Sequence, residues 1–361
     1  MDREWPTALR VAHLKGGLRA INSPGPQVEF IPFLPESPNS FNLEEYRHLH
    51  GILSQHVSTV VGMEFVTHQM QVDGHIPTEW RPYYWKDGGD LAHDATVLWS
   101  NLATGGHHLD NYPFVDLCRR VVFQIEAASW RLYELSESYH KELVNIVAND
   151  KFKDGQRIET LNSFFIYLAT HSFLSEAATL RDYLGEFTAK YVLNEYLNNS
   201  QNIRLMSTLR AEIAKKECSH PVAAEISEIT NGRGWLKEMS AYRDLAVHYT
   251  PLASAEKRGW IKQKAFTDTS KRVYPSIEFS LPKDPHKVKE IRSTGKIFHS
   301  AQEWLKASFL EDEVEHGPDA LLYCHRALGN LCRLAKKIAG HSPILPKQAS
   351  FRLENGNLRR T

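Results

Sequence analysis

The sequence predicts an all-α fold: an antiparallel helical bundle with an irregular N-terminal extension and a short strand or hairpin insertion. Three observations predict it. From Pro113 onward, long stretches carry apolar residues at three- and four-residue steps, the period of a helix with one buried face. The segments joining them are modest and marked by breaker residues. The first 112 residues lack that period and concentrate Gly, Pro, Ser and aromatic residues instead.

The bulk numbers set the frame. A chain of 361 residues suffices for one large domain or two ordinary ones, and 42 % hydrophobic with 24 % charged residues describes a globular protein with a sizeable core. Basic and acidic residues balance at 43 each, so net charge argues for no class of partner. The opening Met-Asp-Arg-Glu-Trp-Pro has no apolar run behind a basic region, and no signal peptide is expected. No run of about 18 apolar residues exists to span a membrane. Cys118, Cys218, Cys324 and Cys332 show no C-x2-C spacing, which points to reduced thiols and a cytoplasmic protein.

Taken in order, residues 1–112 read as a covering extension. Val28–Leu34, with Pro32 inside it, suits an edge strand or extended arm. Ser40 or Asn42 is placed to cap a helix running to about Met70, and residues 72–112 read as irregular. The bundle, residues 113–341, starts with a helix from Phe114 to about Ala148 and a second from about Arg157 to Leu197. Shorter helices follow over Ile203 to about Lys216 and Val222 to about Thr230. A helix from Trp235 stops before Pro251, since the residue ahead of a proline is pushed out of the α region. Residues 251–297 form a basic insertion in which Arg272–Leu281 alternates like a strand. Helices over Phe298–Leu310 and Pro318–Ala339 complete the bundle, and 342–361 is a tail.

The helix that starts at Trp235 carries the main chemical signal. Leu236, Met239, Tyr242, Ala246 and Tyr249 share one face, and near the end lies Arg243-Asp-Leu-Ala-Val-His248. An arginine and a histidine with four residues between them, and an acid directly after the arginine, resemble the R-x4-H motif of HEPN domains. These are helical bundles often found as metal-independent ribonucleases. The resemblance implies a HEPN-like antiparallel bundle, a homodimer and RNA transesterification leaving a 2′,3′-cyclic phosphate. In that chemistry His248 is the general base or acid, Arg243 holds the phosphate, and Asp244 orients Arg243 or the partner's histidine. It implies no cofactor and no metal, and suggests a toxin or antiphage role, with an antitoxin or nucleotidyltransferase as partner. Some members carry a tyrosine two residues after the histidine; here Tyr249 follows directly and Thr250 holds that place. The other function that fits the motif is a non-catalytic module binding a nucleotide, RNA or a partner protein.

On a straight α-helix Arg243 and His248 stand about 140° apart, so they meet in one chain only if the helix loosens near Pro251 or the long arginine wraps around. A two-fold axis along this helix is the other route to a shared cleft. From Pro251 to Leu310 there are 12 Lys or Arg against 6 Asp or Glu. Lys257, Arg258, Lys262, Lys264, Lys271 and Arg272 are interleaved there with Trp260, Phe266 and Tyr274, a pattern suited to phosphates and unpaired bases. His93-Asp94 and His107-His108 with Asp110 match no metal motif and read as histidines without a ligand role. Walker A, G-x-G-x-x-G and G-x-S-x-G motifs are all missing.

Overall fold

The computed structural model describes residues 9–23, 25–35, 39–66, 79–216, 218–249, 261–293, 317–349, 351–354 and 357–360, with backbone alone for 248–249, 291–293, 351–354 and 357–360. The all-α expectation is overturned. The N-terminal segment folds as a six-stranded antiparallel sheet, and a three-stranded sheet forms further along the chain, so the fold is mixed α and β and not a HEPN-like all-α bundle.

The large sheet consists of β1 (Leu9–Leu14), β2 (Arg19–Asn22), β3 (Gln27–Ile31), β4 (Ser40–Asn42), β5 (Val60–Val66) and β6 (Glu79–Pro82), in the order β4-β3-β2-β1-β5-β6. The helix expected over residues 42–70 is replaced by helical turns over 46–57 and then β5. Alternation failed as a signal because β1 is buried on both faces. Two of its residues are polar as well as buried. Arg10 is tolerated there because its guanidinium lies 3.3 Å from the centroid of the Tyr46 ring and donates to Tyr46 O at 2.7 Å and Asn22 Oδ1 at 2.6 Å. Burial still lowers its pKa to about 10.

The helices are α1 (Leu91–His107), α2 (Tyr112–Ala148), α3 (Leu161–Phe187), α4 (Met206–Lys216), α5 (Pro221–Thr230), α6 (Trp235–Asp244), α7 (Pro285–Ser293) and α8 (Ala320–Ala339). Helix α1 lies where the sequence reads as irregular, its C-terminal Gly105-Gly106 masking the pattern. Those glycines admit close neighbours: a Cβ on Gly105 would lie 2.3 Å from Leu345 O, and one on Gly106 2.6 Å from Phe114 Cδ1. The second sheet orders β7 (Arg157–Ile158), β8 (Ile261–Thr267) and β9 (Val273–Phe279). The expected strand at 272–281 is therefore present as β9, paired in a hairpin with β8 from Ile261↔Phe279 to Thr267↔Val273. The helix expected over Phe298–Leu310 lies outside the described residues.

The chain divides into two compact units. Residues 91–128, 175–240 and 327–361 form one, where Phe187 meets Trp99 edge-on and Phe114 at a tilt in its core and Trp99 Nε1 donates to Ala335 O at 3.2 Å. Residues 1–90, 129–174 and 241–326 form the other, which carries both sheets. In it one face of the large sheet meets α2: Trp80 Nε1 donates to Ser129 O at 2.9 Å, and His140 Nδ1 donates to Gly17 O at 2.9 Å. The opposite face buries Ala12, Leu14, Ala20, Phe30 and Met63, and Tyr274 of β9 packs 4.7 Å from Phe30.

A carboxylate ties this unit together. Asp319, just ahead of α8, accepts Leu322 N–H at 3.1 Å in the manner of a helix cap, the Tyr139 hydroxyl of α2 at 2.7 Å and the Phe279 N–H of β9 at 3.1 Å. Burial raises its pKa to about 6 in spite of these donors. The neighbouring histidines shift the opposite way. Burial holds His13, His50 and His140 each at about 4, so they are neutral near pH 7.

The signs fix a pH profile. Depressed histidines bind fewer protons folded than unfolded, so their contribution is lost as pH falls from about 6.5 towards 4, whereas the raised Asp319 contributes in the opposite direction between about 6 and 4. Near pH 5 the four groups together favour the unfolded chain by about two protons. Denaturant unfolding in chelator-containing buffer should therefore show stability falling from pH 6.5 to 4.5, more steeply in Asp319→Asn. A flat profile over that range contradicts the assignment.

Candidate active site at the end of helix α6

Helix α6 buries Leu236, Met239 and Tyr242 of the face the sequence marks out; beyond its end Leu245 is buried and Ala246, expected on that face, is half-buried. Tyr242 fixes its position. The ring meets Tyr323 edge-on at 4.8 Å, and the hydroxyl donates to Pro282 O at 2.5 Å. The residues that follow, Arg243 and Asp244, are consequently turned to the half-exposed side of the helix.

Asp244 sits between two cations. Lys289 Nζ of α7 donates to its Oδ2 at 2.6 Å, and Arg243 Nη1 donates to its Oδ1 at 3.3 Å. Burial alone would raise this carboxyl, but Lys289 and then Arg243 hold it below the ordinary aspartate range. Helix α7 is itself anchored by Asp284 Oδ1, which accepts the N–H groups of His286 and Lys287 at 3.0 Å each. Asp244 is thus the carboxylate that Arg243 and Lys289 share. The sequence missed Lys289, which stands 45 residues beyond Asp244 inside a segment where basic residues are common.

The backbone changes its winding immediately after Asp244. Leu245–Tyr249 is a π turn, in which each N–H reaches back five residues instead of four. Such a turn advances on the order of 80° per residue, so the separation of positions 243 and 248 narrows from about 140° to about 60°. The loosening that the motif needs near Pro251 is thus built into the described backbone. The His248 side chain lies outside the described residues.

The basic positions proposed for RNA fare differently from one another. Lys257 and Arg258 lie outside the described residues. Lys264 pairs with Glu278 at 2.5 Å, and Arg272 pairs with Asp268 at 2.6 Å while shaping the turn between β8 and β9. Lys262 is half-buried in β8 opposite Arg157 and Glu278, and Lys271 is exposed in the turn with φ of 63°. Two of the four described positions are therefore neutralised by hairpin carboxylates, which the bare charge count does not reveal.

Among the N-terminal histidines, His93, His107 and His108 are all exposed. Asp94 pairs with Lys336 at 3.0 Å, and Asp110 accepts from the Tyr112 hydroxyl at 3.1 Å. Cys118, Cys324 and Cys332 are buried, and burial pushes all three thiols upward, Cys332 to about 12, which suits inert core residues. No protein-family model matches the chain, and neither a curated protein nor a solved structure is found similar to it.

Half-exposed ion pairs contribute little to stability, whereas an orphaned buried carbonyl is costly. Lys289→Ala and Arg243→Ala should each lower unfolding free energy by less than about 1 kcal/mol, and Tyr242→Phe by about 1–3 kcal/mol. Urea denaturation checks the ranking; a loss above about 2 kcal/mol for Lys289→Ala contradicts it.

Proposed function

We propose that the chain cleaves RNA at the end of helix α6, without a metal ion, by transesterification at the ribose 2′-hydroxyl. The π turn over Leu245–Tyr249 carries this reading, because it draws the positions of Arg243 and His248 towards one side of the helix. Two other helices also end in π turns, at Leu53–Val57 and Thr188–Val192, and the one after α6 is singled out by the Arg243 and His248 it joins.

The chemistry divides among four side chains. His248 takes the 2′-hydroxyl proton or supplies one to the leaving 5′-oxygen, since an imidazole titrates near neutral pH. Arg243 offers its planar fork of donors to the phosphate and to the charge that grows on it. Lys289 supplies a second positive charge on the same rim, and Asp244 holds both cations in place. A two-fold pairing of chains along α6 would bring a second Arg243 and His248 to the same cleft, and a homodimer is part of the proposal. The setting proposed for this activity is a toxin or antiphage effector restrained by a second protein.

The test is incubation of purified protein with mixed RNA in excess chelator. Wild-type protein should cut, His248→Ala should lose about 100-fold or more, and Arg243→Ala should lose activity while remaining folded. Cleavage that survives in His248→Ala overturns the assignment. RNA retained but uncut by wild type moves the reading to a non-catalytic RNA-binding module.

A further inference from the structure

A second constellation lies on the sheet face that meets α2, and it shares no residue with the α6 site. His13 of β1, Glu64 of β5 and Glu137 of α2 each place one ligating atom so that all three lie within 4.8 Å of one another. They stand 51 and 73 positions apart along the chain (64 − 13 and 137 − 64), so no spacing rule could have joined them.

Sheet register brings two of them together. Val11 pairs with Glu64 and His13 with Gly62, so Glu64 lies diagonal to His13 on the same face. Gly62 leaves the space opposite His13 empty, and the Trp80 indole occupies it; a Cβ there would lie 2.1 Å from Trp80 Cη2. Trp80 and Tyr133 wall the imidazole at 4.9 and 5.7 Å. Consecutive residues of α2 finish the cluster: Ser136 Oγ lies 3.0 Å from His13 Nδ1, and Glu137 brings the second carboxylate.

We propose that His13, Glu64 and Glu137 bind one divalent transition-metal ion of the Zn²⁺ or Mn²⁺ type. One imidazole nitrogen with two carboxylates is a donor set suited to such ions. The separation of His13 Nε2 and Glu64 Oε2, 3.3 Å, is long for a hydrogen bond. It equals the spacing of about 3.3 Å between two donors each about 2.0 Å from one tetrahedral ion. Ser136 would play the supporting part: without an ion Nε2–H faces Glu64, and on metal binding the proton moves to Nδ1, where Ser136 Oγ at 3.0 Å can accept it and leave the Nε2 lone pair to the ion. His13 is almost wholly buried.

Arg19 is the resident counter-charge. It pairs across the strands with His13 and forms an ion pair with Glu137. Burial lowers its pKa, and its Nε has no hydrogen-bond partner. An ion that draws on Glu137 competes with this guanidinium, so Arg19 sets how tightly the metal binds. A plain structural salt bridge would make no such demand.

The test uses the full chain, purified without a histidine tag and stripped with chelator, titrated with ZnCl₂ and MnCl₂ by calorimetry and by thermal melting. Wild type should take one equivalent of one of these ions with a rise in melting temperature. Glu137→Gln should weaken binding roughly tenfold or more, and Ser136→Ala about tenfold. Arg19→Gln should tighten it by about tenfold, a gain that cannot come from damaged folding. Binding unchanged in Glu137→Gln marks adventitious uptake by the exposed histidines and overturns the site, as does Arg19→Gln that binds no tighter than wild type. Failure of RNA cleavage leaves this result untouched, and failure of metal uptake leaves the α6 site untouched.

Discussion

The shared carboxylate of Asp319 is the constraint on which the site-bearing unit depends. One side chain begins α8, receives the Tyr139 hydroxyl from α2 and receives the Phe279 N–H at the end of β9. From that junction the geometry runs outward in short steps. Tyr323 lies one turn into α8, and Pro282 lies three residues past Phe279; Tyr242 of α6 touches both. Arg243 and Asp244 follow Tyr242 directly, and Lys289 reaches Asp244 from the helix that begins at Pro285. The orientation of a half-exposed, weakly stabilising cation cluster is thus inherited from largely buried polar contacts. Such buried groups are costly if any partner is lost, which makes them rigid supports.

Charge is handled by the same device in three places within this unit. Asp244 lies between Arg243 and Lys289, Asp268 is enclosed by Arg272 and the turn it stabilises, and Glu137 faces Arg19. The first gathers two cations on a half-exposed rim, which suits a phosphate. The last sets Glu137 beside His13 and Glu64, a donor set that suits a cation. The middle one is balanced and reads as hairpin architecture. A local excess of basic residues in the sequence therefore divides, once partners are known, into cations gathered on a rim and charge already spent on folding.

The helices over 112–148, 161–187, 206–216, 221–230, 235–244 and 320–339 were legible because each buries one stripe and leaves the rest in solvent. The N-terminal sheet was not. Its strand β1 hides Arg10 and His13 beside Val11 and Leu14, so a polar residue there signals a buried interaction and not an exposed face. At β5, apolar residues on both faces erase the alternation that identifies a strand. The motif at Arg243 and His248 was visible as six residues, but the π turn that runs into it, one of three among the described residues, is a property of the backbone that no residue type encodes. Lys289 and the His13 cluster depend on long-range register and helix docking, which one sequence without relatives does not report.

The central claim is that the end of α6 breaks RNA by attack of a ribose 2′-hydroxyl on its own phosphate. It is tested most directly with a short RNA that wild-type protein cuts at one place, compared with the same oligonucleotide carrying a single 2′-deoxy sugar on the 5′ side of that bond. The account predicts that cutting at the substituted position disappears while the unsubstituted RNA yields a 2′,3′-cyclic phosphate end. Cleavage persisting at the deoxy position would mean that water or another nucleophile does the work, and would contradict the role assigned to Arg243 and His248.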